Sequence, residues 1–205
     1  MSGGVVWVLV GLALAVITVR RRSAAIALVT AQSALLGVGA FALTPGRSTE
    51  FLVASLALVA KAAVLAALLG WSLSRTREPQ PVWEETPPIL RFGLAVTLAL
   101  GVSALIPSIG LIERSSEQAT VALVAIGIAT VVLRRATLFQ ALGLVVAENG
   151  IALAATAVEG GMPLVIELGA LFDVIVVIAV ATAFHERIFD ELGSGDTHGL
   201  RGLRD

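Results

Sequence analysis

The sequence predicts an all-α integral membrane protein with seven transmembrane helices, an outer N-terminus and a cytoplasmic C-terminus. Of the 205 residues, 57% are hydrophobic and 14% are charged, whereas an ordinary globular domain is about 45–50% apolar and about 25% charged. Long apolar runs rich in Leu and Ala lack the alternation of strands. Basic residues cluster between alternate runs. These observations exclude a water-soluble enzyme.

Seven runs approach the length of about 20 apolar residues that a spanning helix needs. They cover roughly residues 3–19, 23–43, 51–73, 89–107, 118–133, 137–157 and 163–184. The first run does not have the pattern of a signal peptide, which carries positive charge before its apolar segment. Here the charges, Arg20 to Arg22, follow the run. We therefore expect a retained first helix with its N-terminus outside.

The positions of the arginines agree with this topology. An excess of Lys and Arg marks cytoplasmic loops, and with the N-terminus outside two arginines, Arg47 and Arg114, fall in outer segments. Eleven fall in inner segments: Arg20, Arg21, Arg22, Arg75, Arg77, Arg91, Arg134, Arg135, Arg187, Arg201 and Arg204. An incorrect helix count would disrupt this alternation.

The chain divides into five parts along this topology. They are a three-helix membrane part (1–75), a Pro-rich cytoplasmic loop (76–88), a spacer helix with an outer loop (89–117), a second three-helix part (118–184) and a cytoplasmic tail (185–205). The prolines keep the loop from being helical throughout, as in a solvated linker. Helices two and six begin with similar sequences, "RRRSAAIALVTAQSALLG" and "RRATLFQALGLVVAENG". The two three-helix parts are therefore either parallel repeats or apolar segments that resemble each other by chance.

Four ionisable side chains lie inside the predicted spans: Lys61, Glu148, Glu167 and Asp173. Glu148 lies about 19 Å beyond Arg135 along a helix, deep in a hydrocarbon core of about 30 Å. A charge at that depth costs about 2.5–3.5 kcal/mol on insertion scales. These groups therefore face the protein interior, a water-filled cavity or a partner protein. Two roles are open: a proton path, or a Lys61–carboxylate pair that fixes helix packing.

Helical geometry limits how the last two acids act. Glu167 and Asp173 are six residues apart and point about 120° apart around one helix, so they cannot share one site by themselves. Gly169 lies one turn before Asp173 on the same stripe and lets a neighbouring helix approach closely. Gln32 is a candidate interhelical hydrogen-bonding group.

No metal or cofactor site is predicted in this chain. There is no cysteine for a thiolate ligand. The two histidines, His185 and His198, both follow the last apolar run. We expect no catalytic residue, no cofactor and no nucleic-acid partner.

At "RRATLFQALGLVVAENGIAL…MPLVIELGALFDVIVVIAV" the sequence resembles the hydrogenase-4 component E membrane protein of group 4 energy-converting hydrogenases. Its last three helices are similar to the K-type membrane subunit of respiratory complex I and to the C-type component of multisubunit cation/proton antiporters. The matching residues are "ENG" (Glu148, Asn149, Gly150), "ELG" and "FD" (Glu167, Gly169, Asp173), the tail residues Asp196, Thr197, Leu200 and Leu203, Gln32 in "AQS", and Lys61.

The resemblance implies a non-catalytic subunit in a prokaryotic cell membrane. Its partners would be antiporter-like membrane subunits, a protein like the H-type membrane subunit of complex I, and a cytoplasmic hydrogenase-like arm. Glu148 and either Glu167 or Asp173 would be stations of a lateral proton path. Leu200 and Leu203 would dock the tail on a cytoplasmic partner, the alternative being a solvated tail. Other functions remain open: a stand-alone secondary transporter or a purely structural anchor.

Overall fold

The described part of the chain folds into six α-helices and contains no strand. The computed structural model describes residues 3–43, 49–76, 86–106, 111 and 113–158. The helices are α1 (Gly3–Thr18), α2 (Arg22–Leu43), α3 (Thr49–Thr76), α4 (Pro88–Leu105), α5 (Arg114–Leu133) and α6 (Thr137–Ala157). The all-α prediction is therefore confirmed for this part of the chain. The seventh predicted span, 163–184, lies outside the described residues.

The helix ends differ from the predicted spans by a few residues. The fifth span was predicted from residue 118, but α5 begins at Arg114 and includes Ser115, Ser116 and Glu117. Hydropathy excludes these polar residues from the span, although a helix can extend into the polar interface. Pro88 is the first residue of α4, where its fixed φ angle suits a helix start and its missing N–H costs no hydrogen bond.

Four of the helices are long and apolar enough to cross a membrane: Arg22–Ala42, Pro88–Leu105, Arg114–Leu133 and Thr137–Ala157. Two apolar segments are shorter, Gly3–Thr18 and Ser55–Trp71. Large apolar side chains also cover the outside, including Leu105, Ile89 and Val132 at 84%, 80% and 73% exposure. An exterior of this kind suits hydrocarbon and indicates a membrane protein.

Helices α1, α2, α5 and α6 form the centre of the bundle. Helix α5 packs along α6, α1 packs on both α5 and α2, and α2 also contacts α6. Helix α4 packs on α5 and α1, and α3 packs mainly on α2. The core between these helices contains Leu9, Ile17, Leu36, Leu123, Ile126, Phe139, Leu142 and Leu153. Helix α4 lies at the periphery of the bundle, because 17% of its apolar segment is buried, compared with 67% for α6.

Glycines bring α5 and α6 into backbone contact. A methyl group on Gly127 would lie 2.6 Å from the carbonyl oxygen of Gly143, and one on Gly143 would lie 2.8 Å from that of Gly127. Distances below 3.0 Å to backbone atoms cannot be relieved by turning a side chain. Membrane helices associate largely through close packing of this kind, so this contact fixes the spacing of the two helices.

We expect Gly143→Ala to lower the free energy of unfolding by about 1–3 kcal/mol, because α5 and α6 must separate to accept the methyl group. Thermal unfolding of the purified protein in detergent measures the change. Gly11→Ala is the matched control, since a methyl group there meets nothing within 4 Å and alanine favours a helix over glycine by about 0.5–1 kcal/mol. Equal destabilisation by the two substitutions would contradict the close packing.

A buried arginine joins the α1–α2 turn to the α5–α6 turn at one end of the bundle. Arg134 is 1% exposed, and its Nη1 donates hydrogen bonds to the carbonyl oxygens of Ile17 at 3.0 Å and Val19 at 2.8 Å. Its guanidinium lies 3.3 Å from the centroid of the Phe139 ring. The terminal carbonyls of a helix lack partners within the helix and favour a positive charge. Arg134 therefore closes the end of α1, in addition to its predicted topological role.

We expect Arg134→Met to destabilise the protein by about 2–3 kcal/mol, because two charge-assisted hydrogen bonds to the end of α1 are lost. The change is measured by thermal unfolding in detergent. Arg135→Met is the matched control. The side chain of Arg135, the next residue, is half-buried, and its substitution removes the same charge but is expected to lower the stability less. If both variants unfold at the same temperature, the hydrogen bonds of Arg134 to the end of α1 do not stabilise the protein as described.

Candidate functional site

Five polar side chains meet in the middle of the bundle, and we call them the central polar cluster. Gln32 and Ser33 come from α2, Lys61 from α3, and Glu148 and Asn149 from α6. Four are 0–1% exposed, while the side chain of Glu148 is 16% exposed. An apolar helix bundle buries such groups only when they bond to one another.

Lys61 and Glu148 form an ion pair in this cluster. The Nζ atom of Lys61 donates a hydrogen bond to Oε2 of Glu148 and a second one, of 3.2 Å, to Oδ1 of Asn149. The ammonium group thus has a charged partner and a neutral partner, both supplied by α6. A positive and a negative charge in contact offset part of the cost of burying each alone.

Asn149 connects the ion pair to α2. Its Nδ2 donates to Oε1 of Gln32 at 3.0 Å and to Oγ of Ser33 at 2.9 Å. The Ser33 hydroxyl also lies 3.2 Å from Oδ1 of Asn149, to which it can donate. Gln32 Nε2 donates to the backbone carbonyl of Leu9 at 2.8 Å. The polar cluster therefore extends from the ion pair to the backbone of α1.

Glycines allow the helices to come close enough for these short side chains to meet. A methyl group on Gly37, one turn after Ser33, would lie 2.9 Å from Cγ2 of Val59 and 3.1 Å from its backbone nitrogen. On α6, a methyl group on Gly150 would lie 2.9 Å from Cβ of Leu123 on α5. Gly37 thus sets the α2–α3 spacing beside Lys61, and Gly150 sets the α5–α6 spacing beside Asn149.

The cluster contains groups that can exchange protons. A carboxylate and an amine in contact can pass a proton between them or to water, and Glu148 is the partly exposed member. The described residues contain no group of three His, Cys, Asp or Glu side chains placed to hold a metal ion. The cluster has the groups that a proton relay in a membrane requires.

The structure brings together four of the residues singled out in the sequence: Gln32, Lys61, Glu148 and Asn149. Gly150 lies beside them at the α5 contact. The other predicted site residues lie outside the described residues: Glu167, Gly169, Asp173, Asp196, Thr197, Leu200 and Leu203. Ser33 was not predicted from the sequence, although it follows Gln32 directly in "AQS". Its position next to Gln32, a polar residue in the same apolar run, was the feature from which it could have been predicted.

The chain is related to a mycobacterial protein over most of its length. It is 33% identical over 159 residues to "Uncharacterized protein Rv0085" of Mycobacterium tuberculosis strain H37Rv, and the alignment covers 72% of this chain and 71% of the relative. The chain belongs to the family of this mycobacterial protein. Such coverage relates the two proteins as wholes and not through a single apolar helix. No family model matches the chain, and no solved structure matches it.

Proposed function

We propose that the protein is a non-catalytic membrane-arm subunit of a respiratory complex related to group 4 hydrogenases and complex I, and that the Lys61–Glu148 pair is a station of its lateral proton path. The observation that carries the proposal is the central polar cluster itself. A carboxylate, an ammonium and three hydrogen-bonding side chains occupy the middle of a bundle whose exterior is apolar. Ionisable groups at that depth usually belong to an ion pathway.

The partial exposure of Glu148 favours a relay station over a pure packing device. Lys61 is 1% exposed, whereas the Glu148 side chain is 16% exposed. A relay needs one member that a proton can reach, and the 16% exposure of the Glu148 side chain supports that role for Glu148, with Lys61 as its buried partner.

The full protein in this proposal spans a prokaryotic cell membrane seven times. Its N-terminus is outside, its C-terminus is cytoplasmic, and the seventh span is residues 163–184. The arginine distribution in the sequence supports this orientation. So does the joining of two arginine-bearing turns, 19–21 and 134–136, at one end of the bundle by Arg134. Glu167 or Asp173 would be the next station, followed by a group on a neighbouring protein of the complex.

The proposed partners are antiporter-like membrane subunits, a protein like the H-type membrane subunit of complex I, and a cytoplasmic hydrogenase-like arm. The sequence motifs around Glu148 and Asp173 support this choice. A stand-alone secondary transporter is the second candidate, favoured by the mid-depth charges, which such transporters also carry. A structural anchor is the third, favoured by the direct pairing of Lys61 with Glu148.

Copurification tests the assembly. The chain is tagged at its own chromosomal locus, extracted in mild detergent and analysed by mass spectrometry. We expect antiporter-like subunits and a large subunit with nickel–iron ligands to copurify in fixed proportion. A lone, monodisperse chain that moves ions across liposomes by itself would rule out the complex in favour of the transporter. A lone chain that moves no ions would favour the anchor.

A further inference from the structure

The amides of the central polar cluster form a chain with one direction. It begins at the backbone carbonyl of Leu9, which can only accept a hydrogen bond. Gln32 must therefore turn its NH₂ group to Leu9, which leaves Oε1 of Gln32 to accept from Nδ2 of Asn149. The oxygen of Asn149 is then the end that faces Lys61. A carbonyl on α1 thus orients both amides in the sense that the ammonium, which can only donate, also requires.

We propose that Gln32 is a positioning residue of the ion site: through Asn149, it holds an amide oxygen against the Lys61 ammonium and so sets the protonation equilibrium of the Lys61–Glu148 pair. Gln32 does not contact the ion pair. Its effect passes through the orientation of the Asn149 side chain, whose oxygen both Gln32 and the ammonium hold on the side of Lys61.

Electrostatics gives the chain of amides its influence over Lys61. The negative ends of both side-chain amide dipoles point towards the ammonium, and hydrogen bonds in series polarise one another in a low-dielectric interior. A hydrogen bond to the charged form of a titrating group changes its protonation equilibrium. If the Asn149 amide turned over, an NH₂ group would face the ammonium and the interaction would become repulsive.

The fold is expected to tolerate the loss of Gln32, which makes the inference testable. Without Gln32, Asn149 Nδ2 keeps the hydroxyl of Ser33 as a partner. The Leu9 carbonyl keeps its place in the hydrogen-bond pattern of α1. Neither group is left buried and unbonded, which is the main cost of removing one hydrogen-bond partner. Gln32→Leu and Gln32→Met both retain most of the side-chain volume.

The test uses the fact that Lys61 is the only lysine in the sequence. Protein grown with isotope-labelled lysine gives one side-chain signal in NMR spectra, from Lys61 alone, and its titration is followed in lipid nanodiscs. We expect Gln32→Leu and Gln32→Met to shift the midpoint of that titration by about half a pH unit or more. Gln140→Leu is the matched control, because Gln140 also donates to a backbone carbonyl, that of Arg134 at 3.1 Å, but lies outside the cluster. It is expected to leave the midpoint unchanged.

An unchanged midpoint in both Gln32 variants, with only a loss of thermal stability, would overturn the positioning role and leave Gln32 as a packing residue. The inference builds on the proposed proton path, but the experiment does not depend on it. The titration is read in the isolated chain, without partner proteins or ion flux. Shifted titration with no effect of Glu148 on proton movement would keep the positioning role and reject the path.

Discussion

Lys61→Met is expected to destabilise the protein by about 3–5 kcal/mol, the largest stability effect expected of a single substitution in this bundle. Methionine fills nearly the same volume and adapts to irregular spaces, so packing changes little. The loss arises because the carboxylate of Glu148 and the oxygen of Asn149 are left in an apolar interior without the ammonium they bind. Thermal and denaturant-induced unfolding in detergent measures the change at a pH where Glu148 is ionised in the wild type.

A double-mutant cycle separates the ion pair from the rest of the packing. Glu148→Gln removes the charge that Lys61→Met leaves behind, so the double variant is expected to be more stable than Lys61→Met by about 1–3 kcal/mol. Leu65→Met is the control for introducing methionine on α3, since Leu65 is fully buried one turn after Lys61 and such swaps cost less than about 1.5 kcal/mol. Additive effects of the two cluster substitutions would show that the pair does not act as a unit.

In the proposed complex, Glu148→Gln is expected to reduce proton translocation strongly while the complex still assembles. Glutamine keeps the shape of glutamate and can accept a hydrogen bond from Lys61, but it cannot bind and release a proton. We expect redox-driven proton movement to fall by about tenfold or more, a change of at least about 1.4 kcal/mol in the barrier. The measurement is acidification of inverted membrane vesicles, with redox turnover of the soluble arm recorded in parallel.

Glu117→Gln provides the matched control for this change. Glu117 lies in the first turn of α5 and is half-buried, so it undergoes the same chemical substitution away from the central polar cluster. Near-normal translocation is expected in that variant. If both variants lost the same fraction of proton translocation, replacing any carboxylate would disturb the assembly. That result would contradict a specific role for Glu148.

The helices could be predicted from the sequence because membrane burial leaves a strong local signal. Continuous apolar runs and flanking arginines placed six helices close to the ends that the structure gives. The same reasoning singled out Lys61, Glu148 and Gln32, since a polar residue in such a run is costly unless it is bonded. Both results follow from one-dimensional information, the identity of a residue and its depth along a helix.

Pairings between helices could not be predicted in this way. The carboxylate that Lys61 contacts could not be predicted, because it depends on how α3 lies against α2 and α6. Gly37 contributes to that arrangement through its close contact with Val59, which is a feature of packing and not of hydropathy. Arg134 is a similar case: its charge was the basis for predicting a cytoplasmic turn, but its bonds to Ile17 and Val19 require the α1 and α5 ends to meet.

The most direct test of a relay asks whether Glu148 changes its protonation state while the proposed complex turns over. Infrared difference spectroscopy of the complex in membranes, between resting and turning-over states, records the carbonyl stretch of protonated carboxyl groups. If Glu148 is a relay station, a carboxyl band appears in the wild-type difference spectrum and is absent from that of Glu148→Gln, while Glu117→Gln retains it. A wild-type spectrum identical to that of Glu148→Gln would contradict the relay and leave the Lys61–Glu148 pair as a device that holds α3 and α6 together.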